Sequence, residues 1–297
     1  MNKDKLVFWV TYPIIFTFSL IPLWLLYRVS SFFYYIIYYV VGYRKKVVRK
    51  NLSLCFPEKS AKERLTIEKK SYRHFTNIFV EMLKGFTISQ KEISKRYHYT
   101  NPEIFKSFEN NQKSVILLGA HFGNWEWLLI INSQTNLECY GAYTKIKNKY
   151  FDNYVKTNRS RFGCHFVQTR QTIAQITKNY RNNTPSIFGL LSDQTPHLNK
   201  THHWAPFFGH VVPVHTGAEM LAKRFEFSIV YMHVKMPKRG YYEITFELLG
   251  ESLKKGDGYP ITDMYLRKLE KDIQNKPELY FWTHNRFKYL GKNPKIN

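Results

Sequence analysis

Acidic residues are scarce in this chain. Its 22 Asp and Glu face 45 Lys and Arg, leaving a formal charge of +23. So large an excess argues for an anionic partner: nucleic acid, phospholipid headgroups or an acidic carrier protein. Cysteine is scarce too. Cys55, Cys139 and Cys164 are odd in number and far apart, which excludes a disulfide framework and a Cys-rich zinc site and fits a reducing compartment. Internal repeats, low-complexity tracts and long linkers are missing, and none of the usual strand-to-helix serine nucleophile turns is found. At 297 residues the chain can bury one large core, or two modest ones, without covalent staples.

Aromatics, at 17% of the chain, are more abundant than a soluble core requires. Many lie near the start. From Leu6 to Tyr27 no residue is charged, a length able to cross a bilayer of about 30 Å as a helix. Pro13 and Pro22 would kink it and Thr11 and Ser19 dilute it, so spanning and shallow insertion are both open, as is a buried core helix. A second uncharged run, "SSFFYYIIYYVVGY", is rich in tyrosine, and "RKKVVRK" follows it. Tyrosine belongs to membrane interfaces, and basic residues after an apolar segment favour the cytoplasmic side and anionic headgroups. No small-residue cleavage pattern follows, which argues against a removed signal peptide. The expected organisation is a membrane-anchoring segment, 1–43, and one domain, 44–297.

Ser60 and Glu63 in "SAKE" read as a capping box that opens a long amphipathic helix through about Lys84. Strand-like runs at 114–120, 137–144, 186–193, 227–236 and 241–249 then alternate with helical patterns at 124–132, 150–162, 171–182, 215–225 and 262–275. Alternation of this kind predicts an α/β fold with a mixed, mostly parallel sheet flanked by helices. The last two strands, joined by "PKRG", predict an antiparallel hairpin.

The first of these strands runs into "GAHFGNWEW", Gly119–Trp127. His121 stands at a strand end, where open α/β sheets carry functional groups. Glu126 is five positions on, which on one continuous helix is about 140° away. The two side chains converge only if the chain turns at Gly123 and Asn124, a fair N-cap. His121 could then accept a proton while Glu126 holds its other ring nitrogen. The alternative is a histidine satisfied in the core and a glutamate favoured by a helix N-terminus.

"HFGNWE" resembles the histidine-x4-acid signature of glycerolipid acyltransferases, and most of all that of the bacterial lipid A late acyltransferase family. "NLSLCFPE" (51–58), "NRSRFG" (158–163), "LLSDQTP" (190–196), "PFFGHVVPVHTGAEMLA" (206–222) and "PELYFWTHNRFK" (277–288) are similar to further segments of that family, in the same order. The likeness covers roughly residues 20–290. It implies transfer of a fatty acyl group from a thioester, carried by acyl carrier protein or coenzyme A, to a hydroxyl of a lipid A precursor at the inner membrane, with no cofactor. His121 and Glu126 would be catalytic, and Asn124, Arg159, Arg161, Asp193, Gln194, His284 and Arg286 would bind substrate. The residue chemistry agrees. A thioester is already activated, a hydroxyl needs a base, and backbone N–H groups at the start of the Asn124 helix could meet the oxyanion.

Other readings stay in view. Arg159 and Arg161 are two apart, so only one can face a given site; either could bind a phosphate. Asp193 could orient an arginine, bind the acceptor or simply sit in a turn. Trp282 and His284 could be packing. Asn285 and Thr144 stand where the family often shows arginine, which keeps an aminolipid, glycolipid or lysophospholipid acceptor open. His197, His202, His203, His210 and His215 crowd one region, but without the spacing or the Cys or acidic company of a zinc site, so no metal is expected. A membrane-tethered nucleic-acid binder would suit the charge, yet no nucleic-acid motif is found.

Overall fold

The structure is a computed structural model and describes residues 2–292. Its first helices are α1 (Lys3–Leu20), α2 (Leu23–Tyr35, continued by a π turn to Val41), α3 (Lys45–Cys55), α4 (Ala61–Lys84) and α5 (Gln90–Arg96). The α/β body follows: β1 (Tyr97–Tyr99), α6 (Ile104–Asn110), β2 (Val115–Gly119), a 3-10 helix (Glu126–Gln134), β3 (Glu138–Tyr143), α7 (Lys149–Ser160), β4 (His165–Gln168), α8 (Thr172–Arg181) and β5 (Ser186–Leu191). It closes with the hairpin β6 (His203–Phe207) and β7 (His210–Val214), then α9 (Gly217–Phe225), β8 (Ser228–Lys238), β9 (Tyr241–Gly250) and α10 (Pro260–Asn275).

Seven strands form one sheet in the order β1-β9-β8-β2-β5-β3-β4. All neighbours are parallel except β8 and β9, the antiparallel hairpin. β2 lies at the centre and all five of its residues are buried, as expected of an apolar parallel strand covered on both faces. At the β8–β9 turn, Gly240 has a φ of +73°, and a Cβ there would strike the Tyr27 hydroxyl. That turn therefore requires glycine, because α2 approaches it closely.

The start of α4 shows both halves of the capping box, with Ser60 N–H donating to Glu63 Oε2 at 2.8 Å and Glu63 N–H to Ser60 Oγ at 3.3 Å. Elsewhere the structure departs from the sequence reading. The stretch after Asn124 winds as a 3-10 helix, and "HWAPFFGHVVPV", for which no strand was expected, forms the hairpin β6–β7.

The apolar run Leu6–Tyr27 is not one helix. Pro22 pushes Ile21 into extended backbone, with φ −56° and ψ 136°, as a following proline does. The chain bends by 118° between its two legs, and among the described residues no single helix is long and apolar enough to cross a membrane. Lys84 pins the break by donating to the carbonyls of Ser19 (2.9 Å) and Ile21 (3.1 Å). Beyond it α2 packs on α4: Tyr27 donates to Glu81 (2.8 Å), Ser30 to Asn77 (2.8 Å) and Tyr38 to Glu68 (2.9 Å). α1 lies over α7, with the rings of Phe8 and Phe151, and of Tyr12 and Tyr154, 5.0 Å apart.

Candidate active site

The register of the sheet assembles the site. β2 and β5 are adjacent and parallel, and Gly119 pairs with Leu191. His121 and Asp193 each follow two residues later, so they emerge side by side at the strand ends. The His121 ring Nδ1 lies 2.8 Å from Asp193 Oδ1, and the same oxygen accepts the His121 backbone N–H at 3.1 Å. Tyr265 ties the end of β2 by donating to the Gly119 carbonyl at 2.9 Å. Trp125 and Phe281 flank the imidazole, with ring centroids 5.1 and 5.9 Å away.

Burial opposes charge on both groups, but each supports charge on the other. For His121, the Asp193 carboxylate and its hydrogen bond outweigh burial, Glu126 adds to them, and the imidazole sits above its ordinary pKa. Asp193 is likewise opposed by burial, yet the His121 charge and two hydrogen bonds hold it below the usual carboxylate range. A carboxylate at Nδ1 fixes the tautomer and leaves Nε2 free to accept a proton.

Glu126 is not the group that holds His121. Its carboxylate accepts from Arg159 Nη2 at 2.5 Å, both side chains being about one-fifth exposed. The turn at Gly123, with φ +61°, brings Glu126 near the imidazole without bonding it, and the buried aspartate from the neighbouring strand takes the ring nitrogen instead.

Asn124 corrects a second expectation. It is fully buried, so it cannot reach substrate. Its Oδ1 accepts the N–H groups of Glu126 (3.0 Å) and Trp127 (3.1 Å), and its Nδ2 donates to Glu81 at 2.6 Å. Those two N–H groups are therefore unavailable to an oxyanion. Glu81, also buried, receives Tyr27 and Tyr242 as well (2.8 and 2.9 Å). Burial outweighs these bonds and raises its pKa to about 7. Sequence reading missed Glu81; an acid set among the apolar positions Ile78, Phe79, Met82 and Leu83 of α4 was the available signal. It also missed His74, whose Nε2 meets the Gly123 carbonyl at 3.3 Å and which burial lowers to about 4.

The remaining residues divide. Gln194 reaches the imidazole, its Nε2 3.4 Å from His121 Nε2. Arg161 turns away and donates to the carbonyls of Gly85 (2.8 Å) and Ile88 (2.5 Å), closing the end of α4. His284 Nε2 accepts the Thr195 N–H at 3.0 Å, and burial, helped by Arg286 and His121 against Asp193, holds it near 4. Arg286 is buried, donates to the Pro213 carbonyl at 3.0 Å and lies 5.0 Å from the Phe207 ring. None of these last three lines the cleft below His121. Asn51 ties the C-terminal box to α3 by donating to the carbonyls of Trp282 and His284 (2.8 and 2.7 Å). The histidines of 197–215 do not converge: His203 meets Asp263, His210 meets the Leu54 carbonyl, and His215 lines the cleft.

His121 opens onto a cleft of about 610 Å³ along one face of the sheet, walled by apolar residues such as Leu117, Leu128, Ile131 and Phe166, with Glu126 and Arg159 among its polar lining. A second apolar channel of about 430 Å³ shares Glu126, Arg159, Leu129 and Tyr143 with it and reaches Ile15 on α1. A base held at a strand end over a long apolar cleft is the layout of an enzyme whose substrate has a long apolar part. Residues 3–289 match the bacterial lipid A biosynthesis acyltransferases, and the chain belongs to that family. It is accordingly an acyltransferase. It is similar to the lipid A biosynthesis palmitoleoyltransferase of Escherichia coli (strain K12) and the lipid A biosynthesis acyltransferase of Shigella flexneri, each 24% identical over 259 residues, 82% of this chain and 79% of the relative. The lipid A biosynthesis lauroyltransferase of Escherichia coli (strain K12) is 24% identical over 250 residues, with the same coverage.

Proposed function

We propose that this enzyme moves a fatty acyl group from an acyl carrier protein thioester to a hydroxyl of a lipid A precursor, at the cytoplasmic face of the inner membrane. The observation that carries this reading is His121 bonded through Nδ1 to buried Asp193, 2.8 Å away, at the head of the apolar cleft. His121 Nε2 takes the hydroxyl proton as the oxygen attacks the thioester carbonyl. Asp193 stabilises the imidazolium that forms. The C–S bond then breaks, and the departing thiolate takes the proton back from His121. Arg159, paired with Glu126 in the lining of the cleft, is the group suited to a phosphate of the lipid or of the carrier's phosphopantetheine arm. The charge of +23 suits an acidic carrier.

Two features support membrane association. Trp9, Val10, Leu20, Trp24 and Phe32 on the α1–α2 elbow are more than half exposed, and the basic run 44–50 follows in the chain. Because α1 rests on α7 and Lys84 holds the bend, the elbow suits shallow embedding in one leaflet.

The test is direct. Purified enzyme receives labelled acyl-carrier-protein thioester and a lipid A precursor, and lipids of cells with and without the protein are compared by mass spectrometry. One added acyl chain on the precursor is expected. Acylation of a glycerophospholipid or aminolipid alone would replace the acceptor, and release of free fatty acid alone would make the protein a thioesterase.

A further inference from the structure

One row of the cleft floor carries two glycines, and at one of them, Gly189, it leaves a gap. Register sets Leu117, Gly189, Gly141 and Phe166 in one row across β2, β5, β3 and β4. β5 is an interior strand, and its first three residues are buried, yet it opens from Gly189 onward. Interior positions of a covered parallel sheet normally carry large apolar side chains, and glycine there weakens the strand unless something approaches closely.

The two glycines differ in what surrounds them. A Cβ at Gly141 would press on the Phe166 ring at 3.0 Å, whereas one at Gly189 would meet only the Tyr140 carbonyl oxygen, at an ordinary 3.6 Å. Neither has a positive φ. Gly189 therefore faces open space that a methyl group could enter without disturbing the fold. Its row crosses β2 at Leu117, four residues before His121, which at about 3.3 Å per strand residue is at most some 13 Å from the reacting end, since β2 ends at Gly119. Phe166 forms the far side of the gap.

We propose that the Gly189–Gly141 notch receives the methyl end of the donor's acyl chain and, with Phe166, sets which chain length the enzyme prefers. This rests on the acyl-transfer reading. The chain would run from the carbonyl beside His121 down the Leu117 side of the cleft and end over the glycines. A side chain added at Gly189 would shorten the space, and removal of the Phe166 ring would lengthen it.

The experiment compares wild type, Gly189→Ala and Phe166→Ala. It measures kcat/KM for lauroyl, myristoyl and palmitoyl thioesters of acyl carrier protein, and displacement of a fluorescent fatty acid by laurate, myristate and palmitate. Methylenes in a fitted pocket discriminate by about tenfold or more. Gly189→Ala should therefore move the palmitoyl-to-lauroyl ratio at least about tenfold toward the shorter chain, and Phe166→Ala should move it toward the longer one. If wild type transfers no acyl group but the displacement series still shifts in opposite directions, the function proposed above fails and the notch stands. An unchanged chain preference in both variants, by transfer and by displacement, overturns the notch. Should Gly189→Ala fail to fold, Phe166→Ala decides alone, by shifting toward the longer chain or not.

Discussion

The groups behind His121 and the cation beside it are held in different ways. Behind the base, in the core, Asp193, Asn124 and Glu81 are buried, and each is held by two or more hydrogen bonds. α7 buries none of its twelve residues, and its Arg159, which lines the cleft, is paired to Glu126. The first region fixes a base against its carboxylate, and the second offers a cation on a surface helix. Substitutions in the first should therefore damage chemistry or stability. Those in the second should damage binding.

The largest effect expected is that of His121→Ala. Loss of a general base costs on the order of 10²–10⁴-fold in kcat, and the melting temperature should fall as well, because buried Asp193 loses the partner that supports its charge, so turnover is referred to the folded fraction. Single-turnover acyl transfer measures it, and near-normal turnover would return His121 to a packing role.

Asp193→Asn comes next, with a loss of kcat on the order of 10²-fold or more. It should also move the pH profile. Asp193 holds the imidazole above its ordinary pKa against burial, so wild-type kcat/KM should fall on acidification at a pH above that of a free imidazole. With the carboxylate gone, burial prevails, His121 stays neutral to lower pH, and the acid limb should shift down. An acid limb that does not move would separate Asp193 from the base.

Glu81→Ala should act on folding, costing about 3 kcal/mol or more, because Tyr27, Tyr242 and Asn124 lose a buried acceptor together. Its pH signature has a definite sign. The folded pKa, about 7, lies above the unfolded value, so unfolded chains release this proton first. Its contribution to stability is complete below the unfolded pKa of roughly 4.3 and is lost as pH rises through 7. Denaturant melts of wild type and Glu81→Gln across that window should converge at the acid end if Glu81 is the source of the slope.

Arg159→Ala should show the smallest effect, raising KM for the lipid acceptor roughly tenfold, as loss of one charge-assisted bond does, while kcat holds. A fall in kcat at constant KM would place Arg159 in the transition state.

How far the sequence could be read follows from the range of each interaction. The capping box of α4 and the β8–β9 hairpin are local, and both were legible. His121 was legible because it follows an apolar strand directly. Its partner was not, since Asp193 lies 72 residues away and becomes a neighbour only because β5 docks beside β2 in one register. The nearer acid, Glu126, invited the pairing that Asp193 makes instead, while Glu126 pairs with Arg159. Arg286 looked like a phosphate ligand because sequence carries no burial; its contacts with Phe207 and Pro213 come from the β6–β7 hairpin, more than 70 residues away in the chain. Pro13 and Pro22 could both be seen, but only the packing of α1 on α7 and the anchoring of the bend by Lys84 show which one breaks the helix.

The central claim is that His121 works with Asp193 while Glu126 works with Arg159, and a pair of mutant cycles on single-turnover rates tests it most directly. Residues acting as one unit are non-additive, and independent ones multiply. Asp193→Asn should add almost nothing to His121→Ala, whereas Glu126→Gln should lower the His121→Ala rate by the same factor as it lowers that of wild type. The opposite outcome, with Glu126→Gln silent in the His121→Ala background and Asp193→Asn multiplicative there, would make Glu126 the partner of the base and contradict the account.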